Sequence, residues 1–174
     1  GGPSLNGDIP FIREMAKDCT VFAVNGVPGH IYKHDIRTDI HVMLDAHPNC
    51  AAFVMQGYPV KRYYASQCDP SVILAALATK SLVCWHGGGE VAEEMGKQGY
   101  AFLNVVGGGS TAATRAMILA YGLGYRKFHL FGMDSSHEEG KSHAYEQAST
   151  EASLNVTCGD EVFKTSPQLL GQAE

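Results

Sequence analysis

A chain of 174 residues with 45% hydrophobic and 18% charged residues has room for one domain with a real core and is short for two. Its formal charge of −5 excludes a general nucleic-acid binder, whose affinity comes from neutralising phosphates with Lys and Arg. No apolar run approaches the roughly 20 residues that span a bilayer, no secretory signal is visible, and five singly placed cysteines suit reduced thiols, so a cytoplasmic protein without a membrane span is expected.

The chain opens on the turn Gly1-Gly2-Pro3-Ser4-Leu5. Ile9, Ile12 and Met15 then recur at helical spacing, which predicts a helix over 9–17 with Asp8 as N-cap and Pro10 in its first turn. Val21–Val24 reads as a short buried strand ending at Asn25-Gly26, and His30–His34 as a short helix. Ile40–Leu44 is a second strand that delivers Asp45 at its carboxyl end. A helical stretch over 49–56, a weaker strand over 61–66 and a helix over 71–78 behind Pro70 follow. Leu82–His86 is a strand closed by Gly87-Gly88-Gly89, and Tyr100–Val106 is one that runs into Gly107-Gly108-Gly109-Ser110-Thr111. The best helix spans 111–123 and stops at Gly124. Phe128–Phe131 reads as a central parallel strand, and 154–157 with 161–164 as a terminal hairpin.

Strands separated by helices predict an α/β fold, a mostly parallel sheet with helices on both faces, in one domain over 1–174. Ligands bind such sheets outside the carboxyl ends of the strands. That edge collects Asn25, Asp45, the turns at 86–90 and 107–111, and the Asp134 loop.

The 107–111 turn carries the sharpest chemistry. Strand, glycines and helix start aim bare amides and a helix dipole at one point, which favours an anion. Gly108, Gly109, Ser110 and Thr111 are the candidate contacts; the bland alternative is a tight turn with a capping hydroxyl. No Gly-Lys-Ser/Thr follows, so it is not a Walker A loop. Asp45 and Asp134 can hold Mg²⁺ or a ribose hydroxyl, or simply cap a loop. The polar segment 134–145 would overhang the site, offering His143 and Tyr145 for acid/base work or substrate contact. His137 in the same segment reads as a solvated loop residue. His86, at a strand end beside glycines, is a further substrate contact, and Asn25 a ribose or base contact.

Gly-Gly-Pro-Ser-Leu, the block from Val105 through Arg115 and Leu123-Gly124-Tyr125 to Leu130-Phe131-Gly132-Met133-Asp134, then His143-Ala144-Tyr145 and Thr165-Ser166-Pro167, resemble the 6-hydroxymethylpterin diphosphokinase MptE-like family. The resemblance implies a Rossmann-like fold. It also implies a transferase acting either from ATP with Mg²⁺ onto a small hydroxylated acceptor or, as in the related bacterial sialyltransferases and motility accessory factors, from a CMP-activated sugar onto a glycan acceptor. By that likeness Gly2, Ser4, Asn25, Gly108, Gly109, Ser110 and Thr111 contact the nucleotide. Asp45 and Asp134 face phosphate, metal or ribose, and His143 acts as base. The family places an apolar strand before the Gly-Pro-Ser-Leu turn, whereas this sequence starts at the turn. The expectation is therefore a fragment that lacks a central strand, with a homo-oligomer as one remedy. A nucleotide-binding module without catalysis is the alternative from another class.

Overall fold

The computed structural model describes residues 1–54, 57–87, 90–99, 105–138, 140–146 and 152–173. Packing divides the chain into two compact units, Met15–Phe128 and a second made of Gly1–Glu14 with His129–Glu174.

In the larger unit β1 (Phe22–Val24), β2 (Ile40–Met43), β3 (Lys61–Ala65), β4 (Leu82–Gly87) and β5 (Val105–Val106) form one sheet in that order. Every neighbouring pair is parallel. The connections carry α2 (Val27–Tyr32), a 3₁₀ turn (Pro48–Phe53), α3 (Pro70–Leu77) and α4 (Glu90–Lys97). Parallel neighbours need a crossover at every step, and crossovers are right-handed. After β5, α5 (Ala112–Gly122) reaches back to pack on β1 and β2 as well as β5. This is the Rossmann-like, parallel α/β fold that the alternation of elements predicts.

β2 is buried at all of its positions, as a strand covered on both faces must be. Val42, Met43, Tyr64, Val72, Trp85 and Leu119 gather around it in one apolar cluster. Two polar side chains lie inside. His41 and Arg62 are fully buried, and each makes hydrogen bonds there. Arg62 Nη1 donates to Val60 O at 2.9 Å and to Ser81 Oγ at 2.5 Å. His41 Nε2 lies 2.8 Å from Asn25 O, and Tyr64 Oη lies 2.9 Å from His41 Nδ1. A carbonyl only accepts, so Nε2 carries the proton and Nδ1 accepts from the tyrosine. Burial pushes the imidazole down to about 4, leaving it neutral.

The smaller unit holds most of α1 (Leu5–Met15), which buries Leu5, Ile9 and Ile12. It also holds the antiparallel hairpin of β6 (Leu154–Cys158) and β7 (Glu161–Thr165), turned by Gly159 at φ 61°, and α6 (Pro167–Ala173).

The structure corrects several expectations. α1 starts earlier than the predicted helix, at Leu5, so Pro10 lies inside it and Asp8 is not the cap. Pro10 has no N–H to give to Asn6, a missing bond that the helix tolerates. The short helix expected at His30–His34 begins at Val27, because Pro28 sits well in a first turn. α4 was not foreseen, and the stretch at 49–56 forms only the 3₁₀ turn Pro48–Phe53 within its described part. Phe128–Phe131 joins no ladder among the described residues, and Phe128 and Leu130 stand 38% and 49% exposed. Apolar composition reports a tendency to be covered, but a strand also needs a partner edge. Residues 88–89 and most of the strand expected at 100–106 lie outside the described residues, which confirm only β5.

Candidate functional site

The candidate residues divide between the two units. In the larger one, β5 ends at Val106 and the glycine turn leads into α5. Thr111 caps that helix: its Oγ1 accepts from Thr114 N at 3.1 Å, and Thr114 Oγ1 accepts from Thr111 N at 3.1 Å. This reciprocal box consumes the Thr111 amide and hydroxyl. Gly108 and Gly109 sit at φ 71° and 73°. A Cβ at Gly108 would meet Ile118 Cδ1 at 2.7 Å, and one at Gly109 would meet Thr114 Cβ at 2.9 Å. Both glycines are therefore required by conformation, and Gly109 by space as well. None of the amides of Gly107, Gly108, Gly109 and Ser110 has a hydrogen-bond partner among the described residues.

Behind the turn stands Arg115, from the second turn of α5. Its Nη1 donates to Val106 O and its Nη2 to Gly109 O, the latter at 2.9 Å. The guanidinium lies 5.8 Å from the centre of the Trp85 ring. Sequence reasoning placed Arg115 only inside a family block. Its one visible signal was a lone cation a few residues into the helix that follows the glycines.

β4 runs beside β5 with His86 opposite Val105 and Gly87 opposite Val106, so His86 is carried to the edge where the glycine turn starts. Its Nδ1 is hydrogen-bonded to Ser66 Oγ, at the end of neighbouring β3, and its Nε2 is buried without a partner. Ser66 was missed, although the rule that selected His86, a polar residue ending a parallel strand, selects it equally. Asn25 closes β1 in a left-handed conformation, φ 45°, with its N–H on Val42 O at 3.1 Å and its carbonyl held by His41. Its Oδ1 is buried and has no partner. Asp45 is exposed just past β2; its Oδ1 accepts from His47 N at 2.9 Å.

In the smaller unit Asp134 binds the first turn of the chain. Its Oδ2 accepts from Ser4 N at 2.9 Å and its Oδ1 from Ser4 Oγ. Gly2 donates to Gly132 O at 2.7 Å, and a Cβ on Gly2 would come within 2.2 Å of Asp134 Oδ2. The pair expected to contact nucleotide and metal is thus also the cap of α1. Ala144 ties His143 and Tyr145 to the same turn: its N–H donates to Gly1 O at 3.1 Å, and its carbonyl accepts from Asn6 Nδ2 at 2.8 Å. His143 Nδ1 lies 2.9 Å from Ser142 Oγ, its ring 6.0 Å from that of Tyr145, and burial holds its pKa below the ordinary histidine value. His137 is not the solvated loop residue expected. It is buried, and its N–H donates to Lys164 O at 2.7 Å in a bridge to β7.

Among the described residues no three His, Cys, Asp or Glu side chains gather as metal ligands. Mg²⁺ in nucleotide sites does not need such a cage, because phosphates and water supply most of its oxygens. Asp45, exposed at a strand end, fits that role, whereas both oxygens of Asp134 already accept from Ser4.

A parallel sheet with a glycine turn between its last strand and a capped helix defines a Rossmann-like α/β protein. The chain belongs to the 6-hydroxymethylpterin diphosphokinase MptE-like family, whose profile matches residues 1–140. The match includes the glycine turn, Asp45 and Asp134 and stops short of His143 and Tyr145. No curated protein and no solved structure matches the chain.

Proposed function

We propose that the protein is a nucleotide-dependent transferase, of the diphosphokinase type, that moves the diphosphate of ATP onto the hydroxyl of a small acceptor and releases AMP. The observation that carries this reading is the row of unpartnered amides at Gly107–Ser110 ahead of α5. Amides and a helix N-terminus favour negative charge, and a leaving nucleotide or diphosphate is where negative charge builds. Membership of the family supports the same class of chemistry. Mg²⁺, when bound, would neutralise charge shared between phosphate oxygens, with Asp45 as its protein ligand. Asn25 and His86, at the ends of β1 and β4, are the contacts proposed for ribose or base and for the acceptor.

A second reading, transfer of a sugar from a CMP-activated donor, draws on His143. Burial lowers its pKa from the ordinary histidine value, which favours the neutral form that accepts a proton from an acceptor hydroxyl. Titration calorimetry with ATP and with CMP, each with and without Mg²⁺, separates the readings. ATP binding that requires Mg²⁺ supports diphosphate transfer. Metal-independent CMP binding supports sugar transfer and makes His143→Ala the next variant. Binding of neither ligand by the folded chain overturns both.

A further inference from the structure

We propose that Arg115 is the positioning residue of the phosphate-binding turn: it grips two carbonyls from behind and so points the turn's amides at the ligand. The inference rests on the reading of that turn as a phosphate site, and adds the device that orients it. In a trans peptide the C=O of one residue and the N–H of the next point in opposite directions. Arg115 Nη1 holds Val106 O and Nη2 holds Gly109 O. The N–H groups of Gly107 and Ser110, which share those two peptide planes, therefore point away from the guanidinium. Gly108 and Gly109, both left-handed, carry the chain between these two fixed planes. Glycine is the residue least able to hold a conformation by itself, so a turn of three needs an outside anchor. The anchor is itself held, by the Trp85 ring on β4 and by the helix that carries it. Thr111 cannot substitute, since its amide is spent on the capping box.

Arg115 also acts electrically. A cation on the oxygen end of each peptide polarises it and strengthens the N–H at the other end as a donor. With Nη1 and Nη2 committed to carbonyls, its part is to aim the amides rather than to touch phosphate.

Arg115→Lys tests aim against charge. A lysine keeps the cation and the apolar stem near Trp85, but its point charge lacks the planar fork that spans two carbonyls. ATP with Mg²⁺, CMP and inorganic pyrophosphate serve as probes for wild type, Arg115→Lys and Arg115→Ala. Binding is read by calorimetry, and the Gly107 and Ser110 amide resonances by nitrogen-15 NMR. In wild type the bound probe should move both amide protons downfield. Both variants should lose at least about tenfold in affinity, the lysine variant as well as the alanine one. Methylguanidinium should restore part of the loss in Arg115→Ala, which a general loss of packing would not allow. Arg115→Lys with unchanged melting and affinity within roughly twofold of wild type overturns the proposal. Wild type that binds no probe overturns the phosphate-site reading instead, and the two failures are told apart by the wild-type titration alone.

Discussion

At the scale of single residues, glycine and aspartate show how one position can fix a loop. Gly109 is left-handed, and an added Cβ would stand 3.0 Å from the backbone nitrogen of Arg115. Gly109→Ala should therefore cost about 1–3 kcal/mol in denaturant unfolding, and a variant as stable as wild type would show that the turn relaxes freely. Asp134 accepts the Ser4 amide and hydroxyl across 130 residues of sequence. Removing it should cost about 1 kcal/mol, the usual worth of a lost N-terminal cap. A double-mutant cycle of Ser4→Ala with Asp134→Ala checks this directly. Coupling near the single-variant cost assigns Asp134 to the helix, whereas additive effects remove the cap from the account. The sequence marked Ser4 by the glycine turn that opens the chain and Asp134 by its place just after an apolar run. It held no sign that they meet, since a hydrogen bond between distant residues leaves no spacing to read.

Elements differ in how much of their geometry is local, and legibility follows that difference. The strands β1, β2 and β4 were readable because short apolar runs ended at Asn25, Asp45 and the glycines after His86, whereas β3, opening on Lys61-Arg62, gave a weaker signal. α5 was readable because its signals are its own, Thr111 at the cap and Gly124 at φ 102° just past the end. α1 was misplaced because its cap comes from Asp134. Arg115 was invisible as an anchor, since a cation on a helix is ordinary until its carbonyl partners are known. The candidate site was legible to the same degree: the strand-end rule singled out Asn25, Asp45 and His86, which do lie at strand ends, while the hydrogen-bond partners His41 and Ser66 came only with the fold. His41 shows what this means for stability. Its folded pKa is about 4 and the ordinary value 6.5, so between those limits the unfolded chain binds the extra proton. Stability should be complete above pH 6.5 and fall as pH drops toward 4, by about 3 kcal/mol from this group. His30 and His143 are shifted in the same direction, so the test is a difference. Denaturant unfolding of wild type and His41→Phe at pH 7 and pH 4.5 should give a shallower fall in the variant. Equal slopes would mean that His41 is protonated in the native protein.

For the whole molecule, the cysteines report how tightly the core of the larger unit is closed. Cys50 and Cys68 are buried in that core, and burial pushes their thiols up to about 11 and about 12. Cys19, Cys84 and Cys158 are exposed, with Cys84 also shifted upward by its partial burial. Only a thiolate attacks a disulfide reagent, so charge and access act together. At neutral pH a thiol-specific disulfide reagent should label Cys19 and Cys158 quickly, Cys84 more slowly, and Cys50 and Cys68 only through opening of the core. α5 packs on β1 and β2, the strands of that core, and it follows directly from the glycine turn. A ligand held by the turn stabilises the closed state by mass action, so at 100 times its Kd it should slow the two buried thiols about 100-fold. The exposed three should keep their rates. If all five thiols react together in the native protein, the core is not closed as described. If the buried pair is slowed by ATP with Mg²⁺ and the exposed ones are not, ligand binding and the stability of the parallel sheet are one linked equilibrium.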